Sequence, residues 1–476
     1  MFRMKKQAIL AFDLGATSGR AVLGMFDGKR LVMEEVHRFT NQPVMLGQTL
    51  CWDFPRLFFE IKQGIHKAKK KAGKIQSLGI DSWGVDFGLI DEAGRLLSNP
   101  VHYRDRRNQG VMEKVFELVP KQELFQMTGL QFLPFNTIFQ LYALKLSNSF
   151  ELKCASQMLM MPDLFNFFLA GSRTSEFTHC STSQLLSPHS RNWNKDLIAR
   201  LELPSRIFPE IIPPGTVIGR LRQELIDEFG LPETRLIAVA EHDTASAVAS
   251  VPAHGKNWAY LSSGTWFLLG VETARPVIND QSFQYLFANE GGVFGSWRLL
   301  KNITGFWLLE QARACFEQKA GKPVSYPALL KEAEKARPGI ALIDVDAPEF
   351  LNPPQMVTAI QDHCRKSGQK IPRTRGEIVR VIFESLIARC RTVLGQLEQL
   401  TGEKLARLHI VGGGARNHLF CRWLARGLDR EVVAGPEEAT ALGNLCMQLI
   451  AEGELGSHAE ARELVARSVR LRYFSA

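Results

Sequence analysis

A Glu-His-Asp triplet interrupts an apolar, small-residue stretch in LIAVAEHDTASAVAS, residues 236–250. Residues 236–240 predict a short buried strand, and the alanine-rich residues 244–250 predict a helix. Asp243 is therefore predicted at the helix N-cap, where a carboxylate either satisfies backbone N–H groups or acts as a base in a reaction. His242 likewise has two possible roles, as a plain hydrogen-bonding group or as a catalytic residue.

Two turns rich in Gly and Ser or Thr are candidates for binding phosphate. Residues 15–19 of DLGATSGR follow one strand pattern and open into another. This order excludes dinucleotide and P-loop motifs, because those loops open directly into a helix. Residues 262–265 of YLSSGTW repeat the arrangement, and such hairpins can hold a polyphosphate with N–H and hydroxyl donors. Asp13 is placed to hold Mg²⁺ or its water shell, or else it starts an Asx-turn.

The elements that must position these residues form a repeated order. Each half begins with strand, turn and strand, which indicates a duplicated architecture with a boundary near Val251 and Pro252. The length of 476 residues exceeds what one core usually supports, so we expect two domains with a cleft between them. A triple glycine, residues 412–414, lies between a strand pattern and a helix pattern. It allows close approach of a ligand to the backbone, or it is a plain helix-entry turn.

Composition limits the partners and the compartment. Apolar residues at 45% and charged residues at 22% are typical of a globular protein. The net charge of +9 is concentrated partly in HKAKKKAGK, residues 66–74, which follows a helix pattern and indicates a solvated helix end rather than a nucleic-acid site. Eight scattered cysteines predict free thiols in a reducing compartment. No apolar run approaches the roughly 20 residues of a membrane span, so we expect a cytoplasmic protein without membrane or nucleic-acid partners.

The ordered motifs resemble the FGGY family of sugar kinases over about residues 8 to 450. The matching stretches are DLGATSGR, GIDSWGVDF, QFLPFNT, EHDTASAV, YLSSGTW, LKNITGFWLL, LHIVGGGARN and AGPEEATALGN. The resemblance implies an α/β fold of two duplicated actin-like, ribonuclease-H-like ATPase domains with a central cleft, at residues 1–251 and 252–476. A regulator or chaperone-like ATPase on the same scaffold would need a DNA-binding or peptide-binding region, which the sequence does not indicate.

The resemblance also implies the reaction. We expect ATP- and Mg²⁺-dependent phosphorylation of L-rhamnulose at its C1 hydroxyl, which gives L-rhamnulose 1-phosphate and ADP in L-rhamnose catabolism. Another ketose or polyol, such as L-fuculose or xylulose, is the alternative substrate. The expected partners are a small-molecule ketose and ATP, and the expected state is a monomer or a homodimer.

The resemblance assigns residues to roles. Asp243 is the expected catalytic base, with a pKa that the helix N-terminus should lower. Asp13 is the expected metal ligand. The sugar site comprises Trp83, Gly84, His242, Asp243, Thr244 and Asn302. The ATP site comprises Ala16, Thr17, Ser18, Gly19, Arg20, Thr265, Glu310 and Gly413. The alternative to a sugar-binding role is core packing for Trp83 and a turn position for Asn302. Glu310 departs from the Gln expected in the family.

Overall fold

The computed structural model describes residues 7–351 and 353–476 as an α/β protein. Its strands are β1 Gln7–Leu14, β2 Ser18–Phe26, β3 Leu31–Thr40, β4 Val44–Leu46, β5 Thr49–Cys51, β6 Ser77–Ser82, β7 Phe87–Ile90, β8 Gln157–Met160, β9 Ser175–Glu176, β10 Leu186–Ser187, β11 Asn192–Trp193, β12 Ile211–Ile212, β13 Thr216–Arg220, β14 Arg235–Ala238, β15 Trp258–Ser263, β16 Trp266–Thr273, β17 Ala288–Gly291, β18 Trp297–Thr304, β19 Arg407–Val411, β20 Glu431–Ala434 and β21 Arg472–Phe474. Its α-helices are α1 Phe54–Ala72, α2 Val111–Leu118, α3 Lys121–Thr128, α4 Thr137–Leu146, α5 Phe150–Cys154, α6 Met161–Ala170, α7 Phe177–Cys180, α8 Lys195–Arg200, α9 Gln223–Phe229, α10 Asp243–Ala249, α11 Asp280–Tyr285, α12 Trp307–Ala320, α13 Tyr326–Lys335, α14 Met356–Lys366, α15 Arg375–Thr401, α16 His418–Leu428, α17 Ala439–Ala451 and α18 His458–Ser468.

The first large sheet has six strands in the order β13-β14-β6-β1-β2-β3. β1 is antiparallel to β2, and β2 is antiparallel to β3. On its other side β1 is parallel to β6, which is parallel to β14. β1 is buried along seven of its eight residues, as its apolar sequence predicts for a central strand. The turn at residues 15–17 joins two antiparallel strands, which confirms the predicted hairpin.

The second large sheet repeats this pattern in the order β17-β18-β16-β15-β19-β20-β21. β15 is antiparallel to β16 and parallel to β19, and β19 is parallel to β20. The run β16-β15-β19-β20 therefore has the same order and directions as β2-β1-β6-β14. The repetition confirms the predicted duplicated α/β architecture.

The chain forms two compact units. The first comprises the described residues up to Pro252 together with Glu272–Leu299 and Ala439–Val469. The second comprises Ala253–Val271, Leu300–Glu438 and the described residues from Arg470 onward. The predicted boundary near residue 251 therefore matches only the first of several boundaries between the two units. The segment that contains α17 returns to the first unit because the apolar face of α17 packs on β1 and β2. Within the described residues, no helix is both long and apolar enough to span a membrane.

Helices α10 and α17 of the first unit approach each other closely at Gly443. A Cβ atom at Gly443 would lie 1.8 Å from the carbonyl oxygen of Ser246. Glycine is therefore required here for close backbone approach, since both neighbouring elements are buried. The contact holds α10, the helix that begins at Asp243, at a fixed distance from α17.

We predict that Gly443→Ala lowers the free energy of unfolding by about 3 kcal/mol or more, because the added methyl group meets backbone rather than a movable side chain. The measurement is urea denaturation followed by circular dichroism. Gly395→Ala is the control, since a Cβ at Gly395 of α15 meets no atom within 4 Å among the described residues. That change should raise helix stability by about 0.5–1 kcal/mol. Equal midpoints for the two variants would contradict the prediction.

Candidate active site

The Glu-His-Asp triplet joins β14 to α10, as the sequence predicts. Helix α10 begins at Asp243, and His242 occupies the N-cap position with an extended backbone, φ −77° and ψ 123°. The predicted N-cap position of Asp243 is therefore wrong by one residue. The cause is strand pairing: Ser82 N–H donates to Glu241 O at 2.9 Å, and Ser82 forms a parallel bridge with His242. Pairing keeps residue 242 extended, so the helix starts at the next residue.

Asp243 has a raised pKa, not the lowered one expected from a helix N-terminus. Burial raises the pKa of this carboxyl, His242 and a hydrogen bond from Thr244 lower it, and the charge of Asp13 raises it further. Thr244 Oγ1 donates to Asp243 Oδ1 at 3.0 Å. Helix α10 has only seven residues, and its terminus does not offset the desolvation. A raised pKa makes Asp243 a better proton acceptor.

Three carboxyl groups meet at one edge of the first sheet. Asp13 on β1 and Asp81 on β6 are directly paired in register. The charges of Asp13 and Asp243 both add to burial in raising the pKa of Asp81. Asp81 Oδ2 accepts from Asn444 Nδ2 at 2.6 Å, whereas Oδ1 is buried without a partner in the described part of the chain. The sequence reasoning missed Asp81, although the motif GIDSWGVDF contains it.

This carboxylate edge fits a magnesium ion held mainly by water. Mg²⁺ usually keeps several waters and takes one or two protein carboxylates plus substrate phosphates. Asp81 Oδ1 offers an unused oxygen. Asp13 Oδ2 accepts from Arg20 Nε and Nη2 at 2.9 and 2.5 Å. The described residues contain no group of three or more His, Cys, Asp or Glu that could hold a metal by themselves, so a dedicated protein cage is not built here.

Gly84 lies beside His242, as the expected sugar site requires. A Cβ at Gly84 would lie 3.3 Å from His242 Nε2 and 3.4 Å from Thr182 Oγ1. Trp83 differs, because only 5% of it is exposed and its ring lies 4.2 Å from the ring of Trp52. Its Nε1 donates to the buried Asp86 at 3.0 Å. This environment favours the core-packing alternative for Trp83.

Val85, next to Gly84, has a strained backbone. Its φ of 72° is unusual for a β-branched residue. Thr137 Oγ1 donates to Val85 O at 2.7 Å, and Val85 N–H donates to Thr182 Oγ1 at 3.2 Å. The motif QFLPFNT ends at Thr137, so the hydrogen bond from Thr137 to Val85 explains why the motif has a threonine at that position. Thr137 and Thr182, which the sequence reasoning did not identify, fix the backbone next to the expected sugar-site residue Gly84.

A buried carboxylate supports the triplet from behind. Glu176 accepts hydrogen bonds from the N–H and the hydroxyl of Thr178 at 2.8 and 2.6 Å, and from Glu241 N–H at 3.1 Å. Thr178 Oγ1 in turn accepts from His242 N–H at 3.3 Å. Two successive N–H groups of the triplet are therefore fixed by side chains of one segment.

Asp163 and Glu241 form a buried carboxyl pair. Asp163 is 3% exposed and Glu241 is fully buried, and the two side chains interact. The two side chains hydrogen-bond to each other, and two carboxyl groups can do so only if they share a proton. Burial raises the pKa of Asp163 to about 7 and that of Glu241 well above its usual range.

The first predicted phosphate hairpin is rigid. Asn41 Nδ2 donates to Gly15 O at 2.9 Å, and Asn41 N–H donates to Thr17 O at 3.0 Å. Thr17 is exposed, Ala16 and Ser18 are partly exposed, and the adjoining Arg20 is paired with Asp13. Packing explains why residue 19 is a glycine, since a Cβ there would lie 2.3 Å from the ring of Phe39.

The second unit brings Thr265, Glu310 and Gly413 near one hairpin. Gly305 and Trp307 N–H groups donate to Thr265 O at 3.1 and 3.2 Å, which ties the turn to the start of α12. Glu310 lies in the first turn of that helix with its side chain 48% exposed. The nearest atom to a Cβ at Gly413 would be Ser263 O of the hairpin, at 4.0 Å.

Asn302 differs from the other sugar-site residues in its place in the fold. It lies on β18 and is partly buried. It belongs to the second unit, whereas His242, Asp243, Thr244 and Gly84 belong to the first.

We predict that Glu241→Gln alters the pH dependence of stability. Because the pKa of Asp163 is raised in the folded protein, its contribution to stability is fully present when the pH is below the pKa of Asp163 in the unfolded chain. This contribution is lost as the pH rises to the folded-state pKa of about 7. A Gln amide can donate to Asp163 without a shared proton. Relative to the unsubstituted protein, the variant should therefore gain on the order of 1 kcal/mol per pH unit between about pH 5 and about pH 7. Urea denaturation across this range measures the gain; the exposed Glu224→Gln should show none, and parallel profiles for all three proteins would refute the shared proton.

Family models match most of the chain. The N-terminal domain of the FGGY family of carbohydrate kinases matches residues 8–250, and the C-terminal domain of the same family matches residues 259–452.

Relatives match over nearly the full length. A rhamnulokinase of Bacteroides thetaiotaomicron is 42% identical over 469 residues, covering 98% of this chain and 96% of that protein. A rhamnulokinase of Halalkalibacterium halodurans is 40% identical over 468 residues, covering 98% of each chain.

Solved structures show the same fold. The gluconate kinase from Lactobacillus acidophilus has a TM-score of 0.81 at 17% identity, covering 99% of this chain and 94% of that chain. The xylulose kinase from the same organism has a TM-score of 0.80 at 17% identity, covering 98% and 94%. The repeated sheet, the matches of both family models and the full-length relatives agree, and the chain belongs to the FGGY family of carbohydrate kinases.

Proposed function

We propose that this carbohydrate kinase transfers the γ-phosphoryl group of ATP to the C1 hydroxyl of L-rhamnulose, which gives L-rhamnulose 1-phosphate and ADP. The observation that carries the proposal is the identity of 42% and 40% to two rhamnulokinases, each over 98% of the chain. The position of Asp243 beside His242, Thr244 and the carboxylate edge supports it. The structural neighbours of 17% identity bear on the fold and do not favour another substrate.

Asp243 is the proposed base. As the C1 oxygen forms its bond to the γ-phosphorus, the bond from that phosphorus to the β-γ bridging oxygen breaks, and ADP leaves with the electron pair. The hydroxyl proton passes to Asp243. In a loose phosphoryl-transfer transition state the nucleophile loses its proton late, so orientation of the hydroxyl contributes more than basicity. The raised pKa of Asp243 assists this transfer.

The remaining roles follow from position. On the sugar side, Gly84 leaves space next to His242 Nε2, and Thr244 and Asn302 supply hydrogen-bonding groups. On the nucleotide side, Ala16, Thr17 and Ser18 offer donors for phosphate and Thr265 does so in the second unit, while Gly413 leaves backbone open toward the adenosine. Asp13 and Asp81 would hold Mg²⁺ through its waters, and that ion would neutralise charge on the β- and γ-phosphates.

Glu310 is proposed to contact the ribose and not the phosphates. Its exposed carboxylate in the first turn of α12 can accept hydrogen bonds from ribose hydroxyls, whereas it would repel phosphate charge. A cytoplasmic location and a monomeric or homodimeric state remain part of the proposal, and the eight free thiols are consistent with a reducing compartment.

We predict that Asp243→Asn lowers kcat by about 100-fold or more, because the amide cannot accept the proton. ADP release with L-rhamnulose, L-fuculose and xylulose measures both the loss and the substrate preference. The exposed Asp196→Asn on α8 is the matched control and should retain full activity. Near-normal transfer by Asp243→Asn would refute the base, and a higher kcat/KM for another ketose would refute L-rhamnulose as the substrate.

Adjacent glycines test the adenosine end separately. Gly413→Ala places a methyl group where the described protein atoms leave space, so it should raise the KM for ATP about tenfold, or about 1.4 kcal/mol, without changing thermal stability. Gly414→Ala should instead destabilise the protein, because its Cβ would lie 2.3 Å from Ser263 Oγ. An unchanged KM for ATP in Gly413→Ala would remove Gly413 from the nucleotide site.

A further inference from the structure

A buried ion pair lies behind His242 on the side away from Asp243. Arg298 on β18 has a side chain that is 1% exposed, and Glu290 on β17 has one that is 8% exposed. Arg298 Nη2 lies 3.0 Å from Glu290 Oε2 and 3.1 Å from His242 Nδ1. Arg298 Nε donates to Gly291 O at 2.8 Å, which fixes the plane of the guanidinium. His242 therefore contacts a cation that is itself held in place.

The direction of the contact determines which ring nitrogen carries the proton. A guanidinium has only donors, so Arg298 Nη2–H must donate to a lone pair on His242 Nδ1. Glu290 Oε2 also approaches Nδ1, but at 3.3 Å it lies farther from it than Arg298 Nη2 at 3.1 Å. Burial opposes ionisation of Glu290, but Arg298 and His242 hold its pKa below the usual range. Glu290 thus balances the charge of Arg298, and the shorter contact from Arg298 makes Nδ1 an acceptor.

We propose that Arg298 is a positioning residue that holds His242 as the Nε2–H tautomer, so that the imidazole presents a donor to the sugar site. His242 Nε2 lies 3.4 Å from Asp243 Oδ1 and faces the space above Gly84. The sugar oxygen that contacts His242 must then accept a hydrogen bond, as a carbonyl or a hydroxyl lone pair can. The proton of the attacking hydroxyl is left to Asp243 alone. This consequence for the sugar rests on the proposed function, whereas the tautomer does not.

A second buried histidine provides an internal reference. His179 Nδ1 lies 3.3 Å from the carbonyl oxygen of Glu241, which can only accept, so His179 must carry its proton on Nδ1. Burial lowers the pKa of His179 to about 3, which keeps it neutral near pH 7. The two rings lie 6.1 Å apart. One neighbourhood is therefore expected to contain both tautomers.

The test is long-range ¹H–¹⁵N correlation NMR of the full chain, with ¹⁵N-labelled histidine and no ligand. His242→Gln and His179→Gln assign the two signals by their loss. We expect the Nε2–H pattern for His242 and the Nδ1–H pattern for His179. An Nδ1–H pattern for His242 in the unsubstituted protein overturns the inference by itself, whatever the substrate.

Variants then identify Arg298 as the cause. Arg298→Met should shift His242 toward a mixed or Nδ1–H pattern, while His179 keeps its own. Because that change leaves Glu290 buried without its cation, the double variant Arg298→Met with Glu290→Gln keeps the site neutral if the single variant does not fold. Glu290→Gln alone and Arg298→Lys both retain a donor at the site and should preserve the Nε2–H pattern. An unchanged His242 signal after loss of Arg298, or a changed one in Glu290→Gln, overturns the assignment to Arg298.

Kinetics separate this role from a merely structural one. Arg298→Met should raise the KM for L-rhamnulose about tenfold while the KM for ATP stays unchanged, and Arg298→Lys should restore most of the loss. An equal rise of both KM values refutes the positioning role. If the unsubstituted protein does not phosphorylate L-rhamnulose, the proposed function fails, and the NMR result still decides the tautomer.

Discussion

Parallel pairing of β1 and β6, continued by the bridge between Ser82 and His242, is the constraint on which the site depends. It places Asp13 directly beside Asp81 and brings Asp243 to the same edge of the sheet. The charge of Asp13 raises the pKa of both Asp81 and Asp243. The arrangement is unfavourable for folding, and a bound cation would relieve it.

Buried polar groups behind this edge hold the backbone of the triplet in place. Glu176 is satisfied by hydrogen bonds from Thr178, His179 and Glu241. Arg298 is balanced by Glu290. These groups come from β9, β17 and β18, which are distant in sequence from the triplet. The backbone of the triplet is thereby fixed before any ligand binds, which reduces the entropy that binding must cost.

Local sequence signals correctly predicted several strands, turns and helices. The features that the sequence did not predict depend on contacts between residues far apart in the chain. The hairpin at residues 15–17, helix α1 and the strand-turn-helix around Asp243 were confirmed because turn residues and apolar spacing act over a few positions. The start of α10 was wrong by one residue because Ser82, far away in the chain, keeps His242 extended. The direction of the pKa shift of Asp243 was wrong for the same reason, since burial and Asp13 are long-range effects. Glu176, Glu290 and Arg298 carry no local signal that would have identified them, whereas Asp81 lies in the motif GIDSWGVDF and could have been found there.

The interleaved path of the chain affects how the protein can fold during synthesis. The sheet of the first unit is complete by Ala238, but its apolar face is covered by α17, which begins at Ala439. About 200 residues must therefore leave the ribosome while β1 and β2 await their partner helix. An apolar sheet face exposed for that time is a site for chaperone binding or aggregation. The first half made alone would lack this cover permanently, so the duplicated architecture does not imply two independently folding halves.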